Sequence, residues 1–488
     1  MVCNIGYLSQ IERFKYRNVI LIIMIQKFVN RTEELSFLEE RYKNKNFEFF
    51  VIYGRRRVGK TELIKNFLKD KEHIYFLCDK SGTERNVQRF KKSIAEFLKE
   101  PIIESNDLEE IFSYLAKKIK NKIIIVLDEF SYLTEKDSAI SSVFQVICDE
   151  ILKKENIFLI LCGSSISMME EGVLSYKSPL YGRKTAHIKL LPIKFKHFKE
   201  FFPSNEIEKN IEFYAILDGI PFYLEKFNDK ISLLKNIDEQ MLSKKGQFYE
   251  EIDFLLREEL REPDVYKTIL DAIASGKTKV VDIANKSRIK VQDIDKYLKT
   301  LIRLGIIKKE NPITEVKSKK SSYLIDDNFF NFSFLFLEPN KSKIEIGELE
   351  STEEKIKIEF SAFVGKKFER LIKNEILPLI NIIDIQKIGK WWGYKRENNE
   401  RKVIEIDIVA LNEKTKEILF VECKWKEKVN ALGIINELAG KSKYVNWYNE
   451  TRRESYAIFA KSFDKKIEEF NGKKVYCFNL KDIENCLK

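Results

Sequence analysis

Histidine is nearly absent from this chain, with three residues in 488, and proline is scarce, with nine. His73, His187 and His197 lie far apart in sequence, which argues against a histidine-based metal site. The seven cysteines (Cys3, Cys78, Cys148, Cys162, Cys423, Cys477 and Cys486) are odd in number, scattered, and include no Cys-x-x-Cys pair. That spacing argues against zinc and for a reducing compartment, so a cytoplasmic location is expected. Long apolar runs are also missing near the start. Val19 to Ile25, behind the basic stretch Arg13-Phe14-Lys15-Tyr16-Arg17, falls far short of the roughly 20 residues a bilayer span needs. The stretch has neither the apolar core length nor the cleavage site of a signal peptide. Met24 reads as an alternative start, which would make residues 1–26 an N-terminal extension, untranslated or poorly ordered.

What is present is a soluble, Lys-rich, multidomain protein. Hydrophobic residues make up 44% of the chain and charged residues 33%, and a domain prior of about 150 residues implies about three domains. The net charge of +11 permits nucleic-acid contact without requiring it.

The rest is organised around Gly54-Arg55-Arg56-Arg57-Val58-Gly59-Lys60-Thr61, which fits the phosphate-binding pattern G-x-x-x-x-G-K-[ST]. Phe49 to Tyr53 upstream reads as a buried strand, and Leu63-Ile64 and Phe67-Leu68 downstream recur at helical spacing. The glycines let backbone N–H groups turn towards phosphate at a helix N-terminus. Lys60 is expected to reach the β- and γ-phosphates of ATP, and Thr61 to bind Mg2+.

His73 to Cys78, Ile123 to Leu127 and Phe158 to Cys162 read as further strands, separated by helical stretches. The pattern predicts an α/β fold with a doubly wound parallel sheet and ligands at the strand C-termini. Upstream, Asn30 is a candidate cap for a helix carrying Leu35, Leu38 and Tyr42. Asp128, ending the third strand, would hold Mg2+, and Glu129 would polarise the attacking water. Ser164 has two readings, a γ-phosphate sensor and a helix N-cap.

Phe28-Val29-Asn30-Arg31, the arginine-rich loop, Leu127-Asp128-Glu129-Phe130, Cys162-Gly163-Ser164-Ser165 and Leu180-Tyr181-Gly182-Arg183 together resemble the archaeal ATPase family, STAND-type P-loop ATPases related to AAA+ proteins. Leu217 to Leu224 is similar to that family's Gly-x-Pro segment, and the resemblance spans roughly Lys27 to Asn228. It implies that Arg31 lies near the adenine and Arg183 near the γ-phosphate. Read without it, Arg183 is a surface arginine after a turn. The resemblance also makes Arg55, Arg56 and Arg57 part of the loop's signature. They are then nucleotide-binding candidates, some of which face a neighbouring domain.

From about Tyr266 three short amphipathic helices and a hairpin through Pro312 to Ile325 trace a winged helix-turn-helix. Lys286, Arg288, Lys290, Lys296, Lys299 and Arg303 crowd its second and third helices, which suits DNA phosphate contact; a packing module is the other reading.

After Ser361 a second chemistry begins. Val403–Ala410 and Ile418–Trp425 read as two strands joined by a polar turn. If 412 pairs with 417, Asp407 faces Glu422 and Glu405 faces Lys424, all on one face. Opposed carboxylates call for a divalent cation. With Glu369 upstream, Asp407 and Glu422-Cys423-Lys424 resemble the restriction-endonuclease-type D…ExK core, which implies metal ligation by Glu369, Asp407 and Glu422. Trp391-Trp392 and Lys395-Arg396 are candidates for contact with a nucleic-acid strand; a place in the core is the other reading of the aromatics.

The expected organisation is an extension (1–26), a P-loop ATPase core (27–200), a helical lid (201–260), a winged helix (261–338), a connector (339–360) and a nuclease-like domain (361–488). The leading reading is an ATP-hydrolysing switch coupled to DNA binding or Mg2+-dependent cleavage. The rival is an ATP-binding scaffold or regulator with an inert C-terminal fold. DNA, a protein partner or a second copy are candidate partners; a membrane is not.

Overall fold

The computed structural model describes residues 28–315, 321–397 and 400–487; the proposed extension at 1–26, with Met24, lies outside them. Five parallel strands form the N-terminal sheet: β1 (Glu48–Tyr53), β2 (His73–Leu77), β3 (Ile123–Asp128), β4 (Ile157–Gly163) and β5 (Ala186–Lys189), in the order β2-β3-β4-β1-β5. β1, β3 and β4 are buried along their whole length, as uniformly apolar central strands must be. Alternation sorts their side chains to two sides: Phe50, Ile52 and Ile160 join one apolar cluster, Phe49, Val51 and Leu159 another. Helices Lys60–Leu68 and Leu108–Lys118 contribute to those opposite clusters.

The four expected strands occur within a residue of their predicted bounds. β5 has no sequence counterpart because it is short and alternates between half-buried and exposed; only pairing from Phe50↔Ala186 to Tyr53↔Lys189 makes it a strand. The cap at Asn30 is a correction: the helix Thr32–Tyr42 is preceded by Asn30 and Arg31, both with positive φ, and has no side-chain cap. That left-handed pair turns the Arg31 guanidinium back to the carbonyls of Val58 (3.0 Å) and Leu191 (2.8 Å).

A helical segment follows (Ile207–Leu217, Pro221–Leu224, Leu233–Ile237, Glu251–Glu259), then helices Pro263–Ala274, Val280–Ser287 and Val291–Arg303. A hairpin of β6 (Ile307–Glu310) and β7 (Ser322–Ile325) closes this unit, with Ile307 opposite Ile325. The stretch expected to connect is itself helical: Lys341–Ile346, then Glu350–Leu371, which runs unbroken through position 360. The C-terminal unit is a separate mixed sheet. β8 (Lys387–Glu397), β9 (Glu400–Asn412) and β10 (Glu417–Lys424) are antiparallel, and β10 pairs in parallel with Arg453–Ala460. One apolar cluster runs from Leu38 through the helical segments to Ile483, so these units share a core. No helix among the described residues is long and apolar enough to cross a membrane.

Candidate functional site

The loop Gly54–Gly59 begins where β1 ends. Gly54 has φ 155°, and a Cβ there would meet the Leu190 carbonyl oxygen at 2.5 Å; Gly59, with φ 92°, starts the helix Lys60–Leu68. Lys60 is buried, and its ammonium donates to the carbonyls of Gly54 (2.9 Å) and Arg55 (3.1 Å). The Thr61 hydroxyl donates to Asp128 Oδ2 at 2.9 Å, joining the loop to the end of β3. Tyr75 donates to the same oxygen at 2.6 Å from β2. The sequence reading missed Tyr75, whose only signal is its place on the strand beside β3.

Glu129 has φ 55°, and its Oε2 accepts from the amide (3.1 Å) and hydroxyl (2.7 Å) of Ser164 at the end of β4. Ser164 does not cap the next helix, whose N-cap is Ser165. Lys60, Thr61, Glu129 and Ser164 line a cavity of about 350 Å3. Its apolar walls are Phe28, Val29, Ile193, Phe201, Pro221 and Phe222, and Arg31 also lines it. Phosphate donors and flat apolar walls fit a nucleotide, and Thr61 with Asp128 fits a divalent cation's preference for oxygen.

Arg56 and Arg57 line this cavity and Arg55 does not, and all three guanidinium groups are paired with carboxylates of the protein. Arg55 forms a buried ion pair with Asp327. Arg56 donates to Tyr132 Oη (2.9 Å) and Glu258 (2.8 Å). Arg57 pairs with Glu251 at 2.6 Å, its guanidinium 3.9 Å from the Phe222 ring centroid. Glu251 and Glu258 lie in the later helical segment and Asp327 in the turn after β7, far along the chain, where local pattern gives no signal. Glu259, beside Arg56, has its carboxyl pushed up to about 7 by burial, against the pull of Arg56. Arg183 is a further correction. It is bound by Asp149 (2.8 Å) and the Pro179 carbonyl (2.6 Å), outside the cavity wall.

In the C-terminal unit the β9–β10 ladder has the register inferred from the turn, from Glu417↔Asn412 to Val421↔Ile408. It ends there. The β8–β9 register shifts between Gly389 and Trp391, a bulge that sets Asp407 and Ile408 opposite Lys390. Asp407 Oδ2 accepts from the Cys423 amide at 2.9 Å. The ladder stops short of Glu405, which sits opposite Trp392 on β8 and pairs with Lys390 at 2.6 Å. Trp391 takes the core reading, buried and packed with Ile406 and Val409.

Glu369 comes from the helix Glu350–Leu371, seated on β10's continuation by Phe368 against Trp425 (ring centroids 5.2 Å apart). Burial and then Asp407 push its carboxyl up to about 8; burial and Glu422 likewise raise Asp407. Glu422 is buried and held by Lys424 (2.8 Å) and by Lys441 (3.2 Å), which the sequence reading missed. Burial lowers the Lys424 ammonium, but Glu422 and the other acids outweigh it and raise it. Among the described residues, no three acidic, histidine or cysteine side chains stand close enough to hold a metal ion by themselves.

The sheet order, phosphate loop and Thr61–Asp128 contact define a P-loop ATPase domain joined to a mixed-sheet C-terminal domain. Residues 28–227 match the family described as an ATPase domain predominantly from Archaea, and residues 333–434 match archaeal and bacterial proteins of unknown function. An uncharacterized protein of Methanocaldococcus jannaschii is 41% identical over 465 residues, covering 93% of this chain and 100% of that protein. The chain belongs to this archaeal ATPase family. An uncharacterized ATP-binding protein of the same organism is 54% identical over 48 residues, 10% of this chain and 81% of its own length. A Walker-type ATPase of Pyrococcus abyssi is 22% identical, with TM-score 0.49, over 63% of this chain and 96% of its own.

Because the Glu259 carboxyl is raised, its neutral form favours the fold. That contribution is complete below the ordinary value of 4.5 and is lost as pH rises through about 7. Glu259→Gln is therefore expected to flatten the decline in thermal midpoint between about pH 5 and pH 7 relative to wild type. An unchanged pH profile would contradict the burial argument.

Proposed function

We propose that the protein hydrolyses ATP in the cavity at the phosphate loop and that its C-terminal domain acts on DNA with Mg2+. The observation that carries the first half is one cavity lined by Lys60, Thr61, Glu129 and Ser164, with Asp128 bonded to Thr61 beside it. Lys60 would exchange its two loop carbonyls for phosphate oxygens, and the loop amides would orient the chain of phosphates. Thr61 and Asp128 would hold Mg2+, whose charge neutralises the phosphates. Glu129 would take a hydrogen bond from the attacking water, held in line until then by Ser164. Arg31, buried beside Phe28 and Val29, would border the base. Lys60→Ala is expected to lower ATP turnover about a hundredfold or more in a phosphate-release assay. Turnover at the wild-type rate would remove the ATPase reading.

The second half rests on Glu369, Asp407, Glu422 and Lys424 meeting at the mouth of the β9–β10 hairpin. Asp407 and Glu422 would hold the cation, with Glu369 beside them, and Lys424 would swing from Glu422 to the phosphodiester as charge develops. The expected winged helix would supply DNA affinity through the exposed Lys286, Arg288, Lys290 and Lys296. Lys299 and Arg303 are less free for that task, being paired with Asp295 (2.7 Å) and Glu171 (2.5 Å).

The rival reading, an ATP-binding regulator with an inert C-terminal fold, draws on one observation: Glu422 is already neutralised by two lysines. Asp407→Ala and Lys424→Ala are each expected to abolish Mg2+-dependent nicking of plasmid DNA, while DNA binding falls steeply with salt. Wild-type protein that never nicks DNA across metals and substrates would favour the rival.

A further inference from the structure

Asp326 and Asp327 follow β7 and engage two arginines far apart in sequence. Asp327 takes the buried ion pair with Arg55 of the phosphate loop and also caps the helix Asn328–Phe332 through the Phe330 amide (2.9 Å). Asp326 accepts from Arg370 Nε at 3.3 Å and from Lys308 at 3.1 Å. The amides of both aspartates donate to one acceptor, the Ile306 carbonyl (2.9 and 3.3 Å), so the dipeptide is held as a single rigid step.

Arg370 lies on the helix that carries Glu369 and gathers several more partners. It reaches Asp218 (3.1 Å), the Tyr214 hydroxyl (3.0 Å) and Asn328 Oδ1 (3.3 Å). Asp218, with φ 51°, precedes Gly219-Ile220-Pro221, and Pro221 with Phe222 forms a wall of the nucleotide cavity. Arg370 therefore bears on the nucleotide site in two ways, once through the segment behind that wall and once through the step that holds Arg55. Its other neighbour in the chain is Glu369. From phosphate loop to C-terminal acid the route is Arg55 to Asp327, one peptide bond to Asp326, across to Arg370, and one peptide bond to Glu369.

We propose that this route couples the two sites: nucleotide in the phosphate loop repositions Arg55, and the Asp326–Asp327 step and Arg370 carry the displacement to Glu369. A buried ion pair resists separation because each charge left alone would be desolvated, so its members move together. Packed elements with two arrangements then transmit a small shift over a long distance. Coupling is reciprocal, so a change at Arg370 must alter nucleotide affinity although its side chain does not line the cavity. The inference rests on the proposed function only for the identity of the C-terminal site.

The test measures the affinity of a fluorescent ADP analogue for the full chain. Asp327→Asn keeps the helix cap and removes the charge; Arg370→Gln cuts the route at its far end. Each is expected to change the dissociation constant about fivefold or more. The double variant should match a single one rather than the product of both. Arg370→Lys should restore part of the change. Lys461→Gln, which breaks the Lys461–Glu208 pair between the same two domains off the route, should leave affinity unchanged. If Arg370→Gln does not fold, Asp326→Asn replaces it in the cycle. Unchanged affinity in folded route variants, multiplicative effects in the double, or an equal effect of Lys461→Gln would each overturn the proposal. Absence of DNA cleavage would overturn the C-terminal chemistry and leave these affinities as predicted.

Discussion

Three consecutive guanidinium groups leave the phosphate loop, and none of them is solvated alone. Arg55 ends on Asp327, Arg56 on Glu258, and Arg57 on Glu251. Cations crowded beside one another on a tight loop repel, so each needs a carboxylate, and the chain supplies these from the helical segment after the sheet and from the turn after β7. That requirement fixes the helical segment over the cavity, with Phe222 beneath the Arg57 guanidinium. It also ties the unit of three helices and a hairpin to the loop. A polyphosphate entering the cavity brings strong negative charge to the same loop and competes with those carboxylates for it.

Much of the fold was legible because it rests on short-range physics. β1, β3 and β4 are buried on both faces, and their unbroken apolar runs say so. The phosphate loop and Asp128-Glu129 follow from position at strand ends. The β9–β10 register followed from the turn alone, since Asn412 opposite Glu417 fixes every later pair up to the bulge. What the sequence could not carry is long-range. The bulge opposite Lys390 depends on a third strand, and Glu405 beside it pairs with Lys390. β5 is a strand only because β1 offers it an edge. Arg183 looked free for phosphate, yet Asp149 in the neighbouring helical turn takes it.

The C-terminal site shows how burial and like charge set chemistry together. Glu422 raises the protonation of the buried Asp407, and both raise that of the buried Glu369, while Lys390, Lys424 and Lys441 offset the acids from three different elements. Lysines poised around acids suit a site that meets both a cation and a phosphodiester, because either partner can be released when its substitute arrives. The same helix that delivers Glu369 delivers Arg370 to Asp218, so the C-terminal acids and the segment behind the cavity wall share a rigid element.

The central claim is that nucleotide occupancy is felt at the C-terminal acids. Hydrogen exchange of the intact protein, compared with and without a non-hydrolysable ATP analogue, addresses it most directly. The account predicts altered protection in the helix through Lys367 to Leu371 and in β9 and β10 around Asp407 and Glu422, as well as at the phosphate loop. Changes confined to the loop, its following helix and the segment over the cavity would contradict it.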